Sequence, residues 1–154
     1  MTHLVTGDKA PDFSGINQNN TTVQLSDFKG KKVILFFYPK DMTPGCTAQA
    51  CNLGENYAEL TSKGFEVIGV SADSVTRHQK FIEKYDLPFT LIADENKEII
   101  KAYGVWGLKK LYGKEYEGIH RETFIINENG IIEQVILKVK TKTHTEQILE
   151  ALSA

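Results

Sequence analysis

Apolar runs alternate with helical patterns along most of this chain, and that alternation leaves few folds open. Val33-Ile-Leu-Phe-Phe-Tyr38 reads as a buried strand. Thr43 can cap the helix that follows, with Pro44 at its first position, where a missing N–H costs nothing, and the helical pattern runs to about Ser62. Lys63-Gly64 then supplies a cationic last turn and a glycine just past the end. Phe65–Val70 is a second strand, and Asp73 or Ser74 caps a helix carrying His78, Phe81, Ile82 and Tyr85. Pro88–Ala93 is a third strand and Asp94–Tyr103 a short helix bearing Ile99, Ile100 and Tyr103. The glycine-rich stretch Gly104–His120 reads as irregular, with Trp106 as core or site wall. Arg121–Asn127 and Ile131–Lys138 flank Glu128-Asn129-Gly130, a hairpin signal, and Thr143–Leu152 is a last amphipathic helix turning Ile148, Leu149 and Leu152 to the core. In the first thirty residues, Phe13 and the alternation Thr22-Val-Gln-Leu25 suggest short strands, and Leu25–Phe28 a turn.

This order implies an α/β fold: a mixed central sheet, parallel and finished by an antiparallel pair, with helices on both faces. At 154 residues, the chain is expected to be one domain spanning 1–154. A net charge of −2 gives no basic footprint for nucleic acid and no polybasic membrane patch. No apolar stretch approaches transmembrane length, and the N-terminus lacks the charged-then-apolar pattern of a secretory signal. Two cysteines without a framework pattern fit a reducing compartment, so a cytoplasmic protein is expected.

Those cysteines, Cys46 and Cys51, are the only two, and both fall in the segment after the first strong strand. The carboxyl ends of strands are where sites form in open α/β sheets. The capping register puts Cys46 in the first helical turn, where unpaired N–H groups and the positive end of the helix dipole favour a thiolate, the reactive form of sulfur. On an intact helix, residues i and i+5 have Cα atoms about 8.6 Å apart, whereas a disulfide needs them within roughly 7 Å. If the two pair, the first turns of the helix must unwind. Two small buried hydrophobes are the ordinary alternative for free cysteines, and the strand–turn–helix context weighs against it. A zinc site would need His3, His78, His120 or His144 to complete four ligands, and none shows ligand spacing to the cysteines.

The segment Phe37-Tyr-Pro39-Lys-Asp-Met-Thr43-Pro-Gly-Cys46-Thr resembles the peroxidatic signature of peroxiredoxins, P-x-x-x-[TS]-x-x-C. With Cys51, Gly104-Val-Trp106-Gly, Gly113-Lys and Arg121-Glu-Thr-Phe, the chain is similar to the bacterioferritin comigratory protein (PrxQ) subfamily, from Ala10-Pro11-Asp12-Phe13 almost to the C-terminus. The resemblance implies a thioredoxin-like fold with peroxiredoxin insertions and a thiol peroxidase without metal, haem or other cofactor. It implies that Cys46 attacks the peroxide to give a sulfenic acid, and that Cys51 resolves it to an intramolecular disulfide. Thr43 would hold the peroxide, Arg121 would stabilise thiolate and transition state, Pro39 would shield the sulfenic acid, and Gln49 would orient the arginine. Hydrogen peroxide and organic hydroperoxides are the implied substrates, thioredoxin or a glutaredoxin-like dithiol the reductant, and a monomer the expected state.

The residues support these roles on their own chemistry. Arg121 carries several N–H groups in a rigid fork and keeps its charge, and donors fixed around a developing charge are the valuable ones. Gln49, three residues after Cys46, lies on the same helical face. Lys40 and Asp41 read as solvated loop charges and His120 as a loop histidine. One departure stands out: the subfamily's arginine and aspartate after the resolving cysteine are replaced by Asn52-Leu53-Gly54-Glu55. Glycine costs about 1 kcal/mol in a helix interior relative to alanine, so Gly54 is expected to ease unwinding. Two other functions remain open from the residues. A general disulfide oxidoreductase would usually carry C-x-x-C, which is absent here, and a peroxide sensor would be oxidised once rather than cycle.

Overall fold

A computed structural model describes residues 2–153. The run expected to be a buried strand is β3 (Lys32–Phe37), and its side chains alternate between two apolar clusters. Val33, Leu35 and Phe37 join one, Ile34, Phe36 and Tyr38 the other, so the strand is covered on both faces. The chain begins with β1 (Ser14–Asn17), β2 (Thr22–Gln24) and a 3-10 turn at Leu25–Phe28. After β3 come α1 (Pro44–Glu55), α2 (Tyr57–Ser62), β4 (Phe65–Ser71), α3 (Val75–Tyr85), β5 (Thr90–Ala93) and α4 (Glu98–Ala102). Strands β6 (Trp106–Leu111), β7 (Lys114–Ile119), β8 (Glu122–Ile126) and β9 (Ile132–Ile136) lead to α5 (His144–Ser153).

Seven strands form one sheet in the order β2-β1-β5-β4-β3-β8-β9. The middle three are parallel to one another, and β8 and β9 finish one side antiparallel, as expected. The other side is finished too: β1 runs antiparallel to β5, pairing Ile16 with Ala93, and carries β2 beyond it. Helices α1, α2, α3 and α5 cover one face through Cys46, Ala50, Leu53, Leu60, Phe81 and Ile148. Helix α4 and the N-terminal segment cover the other, through Ile99, Ile100, Tyr103, Leu4 and Phe13. This is the α/β architecture expected from the sequence, a mixed central sheet flanked by helices on both faces.

Three boundaries differ from expectation. The helix expected to run unbroken to Ser62 is interrupted at Asn56, whose side-chain amide donates to the Asn52 carbonyl at 2.8 Å and competes with the helical ladder. The helix expected from Asp94 starts only at Glu98, because Asp94 stays in the preceding turn and its carboxylate accepts the Ile100 amide at 2.8 Å. Gly104–His120 is not irregular: it contains the β6–β7 hairpin. Tyr112 and Gly113, at φ 51° and 77°, make its two-residue turn, and the two exposed, charged strands show no alternation to read. Trp106 packs on the cluster opposite Cys46 and donates to Glu117 at 2.9 Å, which is a core role.

Candidate active site

The turn after β3 delivers Cys46 to the third position of α1. Thr43 is the N-cap by backbone conformation, at φ −84° and ψ 153°, but its hydroxyl does not cap. It donates instead to the Lys40 carbonyl at 2.8 Å, folding the turn back on itself. Its lone pairs stay available, and Thr43 takes none of the first-turn N–H groups. Pro39 sits half-buried where β3 ends.

Cys46 is 1% exposed, and Arg121, entering from the start of β8, places Nη2 3.2 Å from its Sγ. The other arm of the guanidinium, Nη1, donates to Gln49 Oε1 at 2.8 Å. One rigid fork thus spans the Cys46 thiol and a buried amide one helical turn away, which fixes its orientation. Gly45 makes room for it: a Cβ there would lie 3.3 Å from Arg121 Nη2. Gln49 Nε2 is buried without a partner, so the residue's bonding capacity is directed through its oxygen.

Cys51 lies on the same helix in a different environment. It is half-buried, both cysteines are free thiols, and its own thiol is pushed up first by burial and then by the Glu55 carboxylate. Gly54, read from sequence as an aid to unwinding, also has a packing reason, since a Cβ there would meet Pro88 Cδ at 3.3 Å.

Asp41 corrects the expectation of a solvated loop charge, whereas Lys40 is exposed as expected. Asp41 is 1% exposed and holds Tyr38 Oη at 2.5 Å and His78 Nδ1 at 2.6 Å. His78 Nε2 faces the Ile92 carbonyl at 2.9 Å, so that nitrogen carries a hydrogen, and a single proton lies between Nδ1 and Asp41. Burial, then Asp41, raises the Tyr38 hydroxyl well above its ordinary value. Asp41, Asp73 and His78 form the one group of three possible metal ligands among the described residues. Their oxygens are already taken by Tyr38, His78, Ser71, Arg77 and the Asp41 amide. The donor set therefore suits a hydrogen-bonded anchor better than an ion.

Three residues near the site have roles that the sequence reading did not assign. Lys109, on β6, donates to the Ile119 carbonyl at 3.0 Å; burial and then Arg121 lower its ammonium, while Cys46 opposes the shift. His144 at the head of α5 meets Thr123 Oγ1 and Gln147 Oε1, both at 2.9 Å. Burial, and secondarily Arg121, lower it to about 4, so it is neutral at pH 7. Asn52 bonds the same end of α5 through the Thr145 amide at 2.8 Å. No local spacing signals these roles: Lys109 acts across the unread β6–β7 hairpin, His144 reaches Thr123 on β8 and Asn52 reaches the start of α5. His120 is a half-buried loop residue as expected, lowered by burial and then by Lys109.

Residues 6–135 match the family model described as AhpC/TSA. The chain belongs to the AhpC/TSA peroxiredoxins. Within them it falls in the Bcp/PrxQ group: it is 47% identical to a putative peroxiredoxin Bcp of Haemophilus influenzae over 99% of this chain and 98% of that one. A PrxQ mutant of Xylella fastidiosa superposes with a TM-score of 0.92 at 30% identity, over 99% and 98% of the two chains. A Xanthomonas campestris bacterioferritin comigratory protein, studied for alkyl peroxide reduction, superposes at 0.85 with 33% identity over 92% and 90%. As in other peroxiredoxins, thiol chemistry is the activity this fold carries. Among the described residues, no helix is long and apolar enough to cross a membrane.

Proposed function

We propose that this peroxiredoxin reduces hydrogen peroxide and organic hydroperoxides through Cys46 and Cys51, and that thioredoxin or a similar dithiol recycles it. The observation that carries the reading is the Arg121 guanidinium 3.2 Å from Cys46 Sγ and braced on Gln49. In the first step the Cys46 thiolate attacks one peroxide oxygen. The O–O bond breaks, the leaving oxygen takes a proton and departs as water or an alcohol, and Cys46 becomes a sulfenic acid. Negative charge moves from sulfur to the leaving oxygen, along a path that the cationic fork already faces. Thr43, its own proton committed to Lys40, presents lone pairs that accept the hydrogen of the peroxide. Pro39, half-buried at the end of β3, shields the site from water.

In the second step Cys51 attacks the sulfenic sulfur, water leaves, and the Cys46–Cys51 disulfide forms. The first turns of α1 unwind, since the helix holds the two Cα atoms too far apart to bond. An external dithiol then reduces the disulfide by exchange. The protein acts as a single-domain monomer, as its resemblance to the PrxQ subfamily implies, and in the cytoplasm, a reading supported by its sparing use of cysteine.

Peroxide consumption coupled to thioredoxin, thioredoxin reductase and NADPH tests this. Wild type is expected to cycle, Cys46→Ser to be inactive, and Cys51→Ser to lose thioredoxin-linked turnover. A fully active Cys46→Ser protein would refute the mechanism. Wild type that stops after about one equivalent of peroxide with both thioredoxin and dithiothreitol would refute the cycle.

A further inference from the structure

The segment that must rearrange to join the cysteines is gripped on both flanks by buried or bridging side chains. On the N-terminal flank, the Asp41 amide donates to Asp73 Oδ2 at 2.8 Å and its carbonyl accepts Arg77 Nη2 at 3.2 Å. Its carboxylate holds Tyr38 and His78, as described above, so Asp41 is fixed to β3 and α3 at once. The next residue, Met42, sits at φ 64°, a left-handed conformation that an unbranched but long side chain rarely adopts. Strain of that kind persists only where the surroundings enforce it.

On the C-terminal flank is Asn52, adjacent to Cys51. Its Oδ1 accepts the Thr145 amide at 2.8 Å and its Nδ2 donates to the Lys142 carbonyl at 3.0 Å. Thr145 is the second residue of α5, so Asn52 caps that helix from a distant part of the chain. The Asn52 backbone carbonyl also receives the Asn56 side chain at 2.8 Å.

We propose that Asp41 and Asn52 are positioning residues that confine the rearrangement to residues 42–50, so that Cys51 stays in place while Cys46 leaves Arg121 to reach it. The inference rests on the Cys46–Cys51 pairing proposed above. It adds which side chains bound the movement. Neither clamp touches the reacting atoms. Their effect is to shorten the segment that must be reordered, which limits the entropy lost in bringing the sulfurs together.

Residue-resolved amide exchange by NMR on the full chain, reduced and oxidised, tests the boundaries. Diamide serves as oxidant: its N=N bond takes up the two thiol hydrogens while the S–S bond forms, so the disulfide is obtained without relying on peroxide chemistry. Unwinding 44–50 removes the i−4 acceptors of amides 48–54, so these are expected to lose protection. The Asp41 and Thr145 amides, bonded to the two clamps, are expected to keep theirs. Loss of protection at either amide on oxidation overturns the proposal, as does failure of diamide to close the bond.

Two variants sharpen the test. Asn52→Ala is expected to expose the Thr145 amide already in the reduced protein, and to slow closure of the disulfide roughly two- to tenfold, the range of one net hydrogen bond. Asn52→Asp, whose carboxylate can still accept the Thr145 amide but offers no donor to the Lys142 carbonyl, is expected to restore protection of the Thr145 amide. An unchanged or faster closure in Asn52→Ala overturns the proposal, because the tether would then be idle or a brake. If peroxide leaves the thiols reduced while diamide closes the bond, the peroxidase reading fails and the exchange boundaries still decide this one.

Discussion

At the first turn of α1, the sulfur of Cys46 is buried and 3.2 Å from a guanidinium. Five residues on, Cys51 is half-buried, with the Glu55 carboxylate as its charged neighbour. A cation thus stands by Cys46 and an anion by Cys51, on a single helix. The cation comes from β8, brought across the sheet, whereas the anion comes from the next turn of the same helix. The contrast teaches that the division of labour is set by what packs on each end of α1 rather than by the cysteines themselves.

The sharpest way to break this contrast is to remove the cation. Arg121→Ala is expected to slow the single-turnover reaction of Cys46 with hydrogen peroxide about 100- to 1000-fold, the usual loss for a preorganised donor at a developing charge. Stopped-flow measurement in a Cys51→Ser background isolates this step, and a loss below about tenfold would remove Arg121 from the chemistry. Arg121→Lys should recover little, because one ammonium cannot serve the sulfur and Gln49 together in the same geometry.

A subtler disturbance leaves the arginine and crowds its seat. In Gly45→Ala the new Cβ lies 3.3 Å from Nη2, so the fork is displaced from its seat beside Cys46. The peroxide step is expected to slow about tenfold. Thermal stability should hold or rise, since alanine is favoured over glycine in a helix by about 1 kcal/mol. A variant that is slower and less stable in step would point to general misfolding instead.

The smallest expected effect is on the other sulfur. Burial raises the Cys51 thiol first and Glu55 second, so Glu55→Gln removes only the lesser cause. The thiol then loses its proton at a lower pH, though still above the ordinary value, and thiolate at pH 8 becomes more abundant. Alkylation of Cys51 in a Cys46→Ser background should accelerate about two- to threefold, with the midpoint of its pH profile displaced downward. An unmoved midpoint would mean that Glu55 has no bearing on Cys51.

Much of the molecule was legible in the chain because its signals are local. The β3 run, the Pro44 start of α1, the Gly130 hairpin and the amphipathic α5 each declare themselves within a few residues. The β6–β7 hairpin did not, because both faces of an exposed two-stranded ribbon are polar and its Tyr112-Gly113 turn is not a common signal. Asp41 was misread for a related reason. A charge in a loop is ordinarily solvated, and what buries it is His78 on α3, 37 residues away.

By itself, then, the sequence determined the order of strands and helices outside the β6–β7 hairpin, the placing of Cys46 in a first helical turn and the conflict between an intact helix and a Cys46–Cys51 bond. Each of these follows from backbone geometry and spacing within one element. Tertiary structure alone decided that Arg121 reaches Cys46 across 75 residues, that Gln49 braces it, and that Asp41 and Asn52 grip the two flanks of the segment between. Those facts depend on which surfaces meet when the sheet closes over its helices, and no local pattern encodes a meeting between distant parts of a chain.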